Sequence, residues 1–334
     1  MNERVPVTIV TGFLGAGKTT LIKHLLDKAN GARIGLIINE FGDLGFDGDQ
    51  VSACLDPGCE DDVVELTNGC LCCTVADDFV PALEALLNRP LPPERIVIET
   101  SGLALPQPLI AAFAWPTVKP RVTVDGVVTL VDAPAVAAGR FAHDPEAVDA
   151  ARRADEALDH ESPLQELFED QLKAADLVLM SKTDGVDEAT LSDVETTVRA
   201  AIRPGVAVVS GTDPMIFGLG AAAESDPAAR DGHHGHDADH EHDDFDTVIL
   251  HKRYGSRAEA EAALNALAAD PAILRLKGSV TLGDKTAPLF VQAVGPRLET
   301  WFGRPGQPAG GLVVIGLSPL NHARLNESGD AVAA

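Results

Sequence analysis

Cations are scarce in this 334-residue chain: 26 Lys and Arg stand against 51 Asp and Glu, a formal net charge of −25. A surface this acidic repels phosphate backbones, which argues against a nucleic-acid partner. Long apolar runs are missing as well. None approaches the roughly 20 residues that span a bilayer, so no membrane partner is expected. The opening Met1-Asn2-Glu3-Arg4-Val5-Pro6 lacks the pattern of a secretory leader, and the cytoplasm is the expected compartment. Cysteines number only five, and all lie between residues 54 and 73. A disulfide framework would spread them along the chain, so metal or redox chemistry under reducing conditions fits better. Aromatics are few (4%), while 45% hydrophobic and 23% charged residues describe an ordinary globular protein with one large core, or one large and one small.

Apolar β-rich runs recur at Val5–Thr11, Ile34–Ile38, Arg95–Glu99, Val122–Val131, Leu177–Met180 and Val206–Val209. Helical patterns alternate with them at Thr20–Lys28, Asp77–Leu87, Pro108–Phe113, Leu164–Ala174 and Asp187–Ala201. Short buried strands alternating with helices predict an α/β fold with a doubly wound, mostly parallel sheet over residues 1–220. Residues 221–244 turn to Ala, Asp, Gly and His and read as a linker without apolar periodicity. A small α+β domain is expected over 245–328, with strands at Phe245–His251, Leu274–Leu282, Leu289–Val294 and Leu312–Ile315 and a helix at Ser256–Ala268.

Gly12-Phe13-Leu14-Gly15-Ala16-Gly17-Lys18-Thr19 satisfies G-x-x-x-x-G-K-[ST] between a predicted strand and a predicted helix. In that context glycines let backbone N–H groups turn onto phosphate oxygens at a helix N-terminus. Lys18 would reach the β- and γ-phosphates and the Thr19 hydroxyl would ligate Mg²⁺. Gly12, Gly15, Ala16, Gly17, Lys18, Thr19 and Thr20 are therefore the candidate phosphate contacts. Ser181-Lys182-Thr183-Asp184 follows a late strand. Its carboxylate can accept both the N1–H and the exocyclic amine of guanine, and the Lys182 stem can lie along the base, so GTP is favoured over ATP. Glu99-Thr100-Ser101-Gly102 also leaves a strand end; Glu99 can hold Mg²⁺ and the Gly102 N–H can sense a γ-phosphate. Asn39-Glu40-Phe41-Gly42 is a candidate for the other switch segment.

Gly69-Cys70-Leu71-Cys72-Cys73 offers three thiolates within four residues, a donor set suited to tetrahedral Zn²⁺ or Co²⁺. A fourth ligand could come from Glu40, water or a partner, and Cys54 and Cys59 could complete or flank the site. His233, His234, His236, His240 and His242 add a loose metal-capturing tract.

Together GFLGAGKTT, NEFG, GCLCC, ETSGLALPQP, a strand ending at Asp132, SKTD, the His-rich linker and the C-terminal domain resemble the CobW-type metallochaperone GTPases. These are relatives of UreG and HypB in the SIMIBI class of P-loop GTPases. NGCLCCTVADDFVPAL and SGLALPQPLIAAFAWP resemble the branch tied to cobalamin synthesis most closely. The resemblance implies that MgGTP orders the switch regions so that Cys70, Cys72 and Cys73 bind Co²⁺. Hydrolysis then releases the metal toward a recipient such as the aerobic cobaltochelatase. Intrinsic turnover would be slow, roughly 10⁻⁴ to 10⁻² s⁻¹, since no motif positions an arginine finger. Zinc transfer by the same device is the alternative cargo, because Zn²⁺ outcompetes Co²⁺ at thiolates. Metal storage on the His and Cys residues, and a P-loop ATPase or kinase with redox-sensing cysteines, are the readings from other classes.

Overall fold

The computed structural model describes residues 4–27, 29, 32–39, 63–66, 79–142, 144–146, 148, 150, 164–211, 245–283, 285–321 and 325. Two compact units emerge, one of residues 1–203 with 208–213, the other of 204–207 with 214–334. The linker expected over 221–244 falls outside the described residues.

In the first unit the strands are β1 (Val5–Gly12), β2 (Ile34–Asn39), β3 (Val63–Leu66), β4 (Arg95–Glu99), β5 (Val122–Asp132), β6 (Leu177–Ser181) and β7 (Ala207–Ser210). They form one sheet in the order β3-β2-β4-β1-β5-β6-β7. Every pair from β3 across to β6 is parallel. Strands covered on both faces need continuous apolar runs, and β4, β5 and β6 are buried at every position. Helices α1 (Lys18–Asp27), α2 (Val80–Leu87), α3 (Gln107–Ala112), α4 (Ala133–Ala137), α5 (Leu164–Ala174) and α6 (Glu188–Ala201) connect them. Leu83 and Leu86 of α2 and Leu109 and Ala112 of α3 pack with Val7, Ile9, Ile96, Ile98 and Val127 in one core cluster. Helix α5 packs on β1 and β5.

Two buried carboxylates key the central strands together. The β1–β5 register steps from Val7 opposite Val124 to Thr8 opposite Gly126, leaving Asp125 as an extra residue in a bulge. Asp125 is 1% exposed and forms an ion pair with buried Arg95 of β4, with the Thr8 hydroxyl 3.4 Å away. Asp176, just before β6, accepts the Val127 N–H at 3.0 Å and pairs with Arg203 at 2.6 Å. Arg203 also donates to the carbonyls of Lys173 and Ala175, fixing the end of α5.

In the second unit β8 (Phe245–Leu250), β9 (Arg253–Tyr254), β10 (Ile273–Leu282), β11 (Leu289–Val294), β12 (Arg297–Phe302) and β13 (Gly311–Leu317) form a sheet in the order β12-β11-β10-β13-β8, with β9 beside β10. All pairs along that path are antiparallel. Helix α7 (Arg257–Ala268) lays Ala260, Leu264 and Leu267 on Leu276, Val280, Val291 and Val314. Ser256 Oγ caps its start by accepting the Glu259 N–H, and the Glu259 carboxylate accepts the Gly255 N–H one residue before the cap.

Candidate functional site

Because β1, β4, β5 and β6 run parallel, their C-terminal ends open on one edge, where the strand order reverses and open α/β sheets bind ligands. Strand β1 delivers the chain to Gly12 (φ 134°), where an added Cβ would sit 2.4 Å from the Leu130 carbonyl oxygen. Gly15 and Gly17 also have positive φ, and the loop then enters α1 at Lys18. This is the strand–loop–helix geometry that turns successive N–H groups toward an anion. Phe13 anchors the loop through its ring, 5.9 Å from that of Phe168 on α5. Lys18 is buried and its ammonium donates to the carbonyls of Gly12 at 2.9 Å and Phe13 at 3.3 Å. A fixed cation thus crosses the loop mouth.

The end of β4 supplies the next group. The Thr19 hydroxyl lies 3.4 Å from Glu99 Oε1, and Glu99 is 5% exposed. Beyond it, the Thr100 N–H donates to the Val10 carbonyl at 3.0 Å and prolongs the β1–β4 pairing. Gly102 lies flush on the phosphate loop: an added Cβ would meet Leu14 N at 2.5 Å. Gly102 and Ala104 turn their carbonyls to the side-chain amide of Gln171 on α5, at 3.2 and 3.1 Å.

From the other side, Ser181 at the end of β6 donates its hydroxyl to the Ala16 carbonyl at 2.6 Å, with the Val131 carbonyl 3.2 Å away. Lys182 adopts φ 57°, a left-handed conformation, and its ammonium meets Asp132 at 2.6 Å. The other Asp132 oxygen caps α4 through the Ala135 N–H. Lys182 and Asp184 are exposed at this edge, as is Thr20 in the first turn of α1.

Sequence comparison agrees with this arrangement. The pattern of the "CobW/HypB/UreG, nucleotide-binding domain" matches residues 6–210, and that of the "Cobalamin synthesis protein cobW C-terminal domain" matches 247–332. The chain belongs to the CobW/HypB/UreG family of P-loop GTPases. The protein of Sinorhizobium named "Zinc chaperone CobW" is 51% identical, covering 96% of this chain and 95% of its own. One of the same name from Pseudomonas aeruginosa is 47% identical over 90% and 83%. "Zinc chaperone YjiA" of Escherichia coli is 34% identical over 55% and 51%.

Within this CobW-family GTPase, Gly12–Thr19, Glu99, Gly102 and Ser181 converge on one sheet edge. The metal candidates Glu40, Cys54, Cys59, Cys70, Cys72 and Cys73, and the five histidines of 233–242, lie outside the described residues. Among the described residues no group of three or more His, Cys, Asp or Glu could hold a metal ion. None of the described helices is long and apolar enough to cross a membrane. No sequence motif assigns a role to Asp132 or Gln171. Asp132 was open to notice as a strand-terminal acid two residues before Pro134, and Gln171 as a polar residue inside the apolar Phe168–Leu172 stripe of α5.

Proposed function

We propose that this family member is a GTP-gated carrier of a soft divalent metal ion, held by Cys70, Cys72 and Cys73 in the triphosphate state and released after hydrolysis to diphosphate. In this reading the phosphate loop and Lys18 hold the β- and γ-phosphates, and Asp184 selects guanine with the Lys182 stem along the base. The Gly102 N–H meets the γ-phosphate. Thr19 and Glu99 bring a hydroxyl and a carboxylate within 3.4 Å, hard oxygen donors that fit Mg²⁺. Mg²⁺ held there would offset phosphate charge as the terminal bond breaks.

The observation that carries the reading is the register of the sheet. One rung runs Glu65–Ile38–Glu99–Val10, so β3 ends at Leu66 on the same edge where β1 gives way to the phosphate loop. Three strand spacings, about 14 Å, separate the two. Cys70 follows Leu66 by four residues, which reach at most about 14 Å. The cysteine motif thus follows a strand that ends on the edge where the nucleotide is proposed to bind.

Zinc is the cargo favoured by the relatives' names and by the affinity order of divalent ions at thiolates. Cobalt is the second reading, favoured by the match to the cobalamin-synthesis C-terminal domain, with a cobalt chelatase as recipient. Delivery of either metal from thiolates requires a reducing compartment such as the cytoplasm.

Linkage supplies the test. If MgGTP tightens metal binding by some factor, the metal must tighten MgGTP binding by the same factor. Zn²⁺ and Co²⁺ are titrated into the chain with MgGTPγS and with MgGDP. Tighter binding in the GTPγS state, lost in Cys72→Ala, is expected, whereas equal affinities in the two states refute gating.

A further inference from the structure

We propose that Gln171 is a positioning residue for the Gly102 loop and thereby sets how strongly the site discriminates triphosphate from diphosphate. The inference rests on the reading of Gly102 as the γ-phosphate contact.

Gln171 is 1% exposed, and its amide donates to two backbone carbonyls, Gly102 O at 3.2 Å and Ala104 O at 3.1 Å. Two acceptors on one group fix the orientation of the amide, because only its NH₂ end carries two donors. A buried glutamine that served packing alone would have no reason to meet both carbonyls of one loop. The helix behind it is itself fixed at three points. The Gln171 carbonyl accepts from the Thr129 hydroxyl of β5 at 3.3 Å, Arg203 ties the carbonyls of Lys173 and Ala175, and the Phe168 ring meets Phe13 and Phe141. One turn of α5, from Phe168 to Gln171, therefore touches both the phosphate loop and the Gly102 loop. Gln107, at the start of α3, adds a further bond to the Asp170 carbonyl at 3.0 Å.

The physical consequence follows from the nature of glycine. Without a Cβ, Gly102 can rotate through φ and ψ values closed to other residues. Holding its carbonyl fixes the Gly102–Leu103 peptide plane and so ψ at Gly102. On the other side, the Thr100 N–H bond to the Val10 carbonyl fixes the chain two residues earlier. Between these two anchors the N–H of Gly102 has little room to turn. Releasing the carbonyl makes triphosphate binding bear the ordering of this peptide, while diphosphate, which does not reach it, is bound as before.

Three variants test this: Gln171→Glu, isosteric with at most one donor in place of two, Gln171→Met, of similar length without donors, and Gln107→Ala, an exposed change at the far end of the same loop. Affinities for MgGTPγS and MgGDP and single-turnover GTP hydrolysis are measured for each. Both Gln171 variants are expected to lose about tenfold in GTPγS affinity and about tenfold in hydrolysis rate, with GDP affinity within twofold of wild type. Gln107→Ala should move the same ratio two- to threefold, on the order of one exposed hydrogen bond. A parallel loss for both nucleotides would mark Gln171 as merely structural and overturn the proposal, as would an unchanged ratio. If the Gln171 variants do not fold, Gln107→Ala decides: an unmoved ratio overturns it. The reading of Gly102 fails separately, when Gly102→Ala leaves the wild-type ratio unaltered. A ratio sensitive to Gly102→Ala but not to Gln171 or Gln107 sinks this inference alone.

Discussion

Gly102→Ala adds one methyl group where the loop after β4 rests on the phosphate loop. The new Cβ would fall 2.5 Å from Leu14 N, 2.9 Å from Leu14 Cγ and 3.0 Å from Leu14 Cα. Two of these three atoms are backbone, so a rotamer change cannot relieve the contact. Ordinary van der Waals contact begins near 3.4 Å, and the loops must part by about 0.9 Å (3.4 − 2.5). Overpacking of this kind costs about 1–3 kcal/mol of stability. For a domain of this size that lowers Tm by roughly 2–4 °C per kcal/mol. The larger effect falls on chemistry, since a misplacement of about 1 Å costs on the order of 10²-fold in rate. Lys18, Ser181 and Asp184 are untouched, and GDP affinity should stay within about threefold, equivalent to less than ~1 kcal/mol. Single-turnover hydrolysis and GDP binding on the same preparation separate the two effects. Turnover within threefold of wild type, in a variant that still melts cooperatively, would refute the claim that this close approach places the Gly102 N–H on the γ-phosphate.

Asp184→Asn should weaken GTP binding by about 10²-fold, the loss of two charge-assisted bonds at about 1.5 kcal/mol each. Xanthosine triphosphate, with a carbonyl in place of the amine, should recover part of that affinity; unchanged GTP affinity would remove Asp184 from the base site. Ser181→Ala leaves the Ala16 carbonyl without its 2.6 Å donor and should cost about 1–3 kcal/mol in urea unfolding, together with weaker binding of both nucleotides. Arg95→Met removes the ion-pair partner of the buried Asp125 carboxylate and should cost about 3–5 kcal/mol, read as a lower urea midpoint at unchanged slope. Tyr254 is buried, its hydroxyl has no hydrogen-bond partner among the described residues, and desolvation, with the nearby Glu259 charge, raises its pKa above the usual value of 10.0. A raised folded-state pKa means that the neutral form supports folding up to the unfolded value near 10, and this support is lost as pH climbs through the folded value. Tyr254→Phe should therefore be neutral or stabilising near pH 7 and should flatten the loss of stability above pH 10; a variant destabilised at neutral pH would show that the hydroxyl has a partner.

The strands that the sequence made legible are those buried on both faces. Arg95–Glu99 appears at its expected bounds, and β5 and β6 each run one residue beyond theirs. Leu164–Ala174 also stands as expected, its apolar stripe unambiguous. The missed elements share a physical cause. Strand β3 is four residues at a sheet edge, amid polar and cysteine-rich sequence. Strand β12 is an edge strand with half-exposed residues throughout, and only the two-residue Gly295-Pro296 turn, which pairs Val294 with Arg297, marks the hairpin. Helix α4 is Ala-Pro-Ala-Val-Ala, too short for periodicity and held by its Asp132 cap. Two helices start one residue later than expected because their caps look like first residues: Asp187 and Ser256 stand outside the helices they cap.

The site was legible where function is local in sequence and illegible where it is tertiary. The phosphate-loop motif carries its own geometry, and Glu99 and Ser181 could be placed because strand ends of a parallel sheet share an edge. No one-dimensional pattern brings Gln171 to Gly102 across 69 residues or Asp132 to Lys182 across 50. Those two contacts divide the nucleotide site into halves of different kind. In the proposed reading Asp132 reaches Lys182 on the base side and bears on which nucleotide is selected. Gln171 grips the loop proposed to meet the γ-phosphate and in that reading bears on the state of the nucleotide. A carrier of the proposed kind needs the second half to read the terminal phosphate from a fixed N–H while the first half holds both nucleotides alike. The two halves are bonded differently: Asp132 makes a charge-assisted 2.6 Å contact, whereas Gln171 makes two neutral ones above 3 Å. Water screens the exposed Lys182 head of that ion pair, whereas the buried Gln171 bonds hold the Gly102 peptide where, in the proposed reading, the triphosphate alone would meet it.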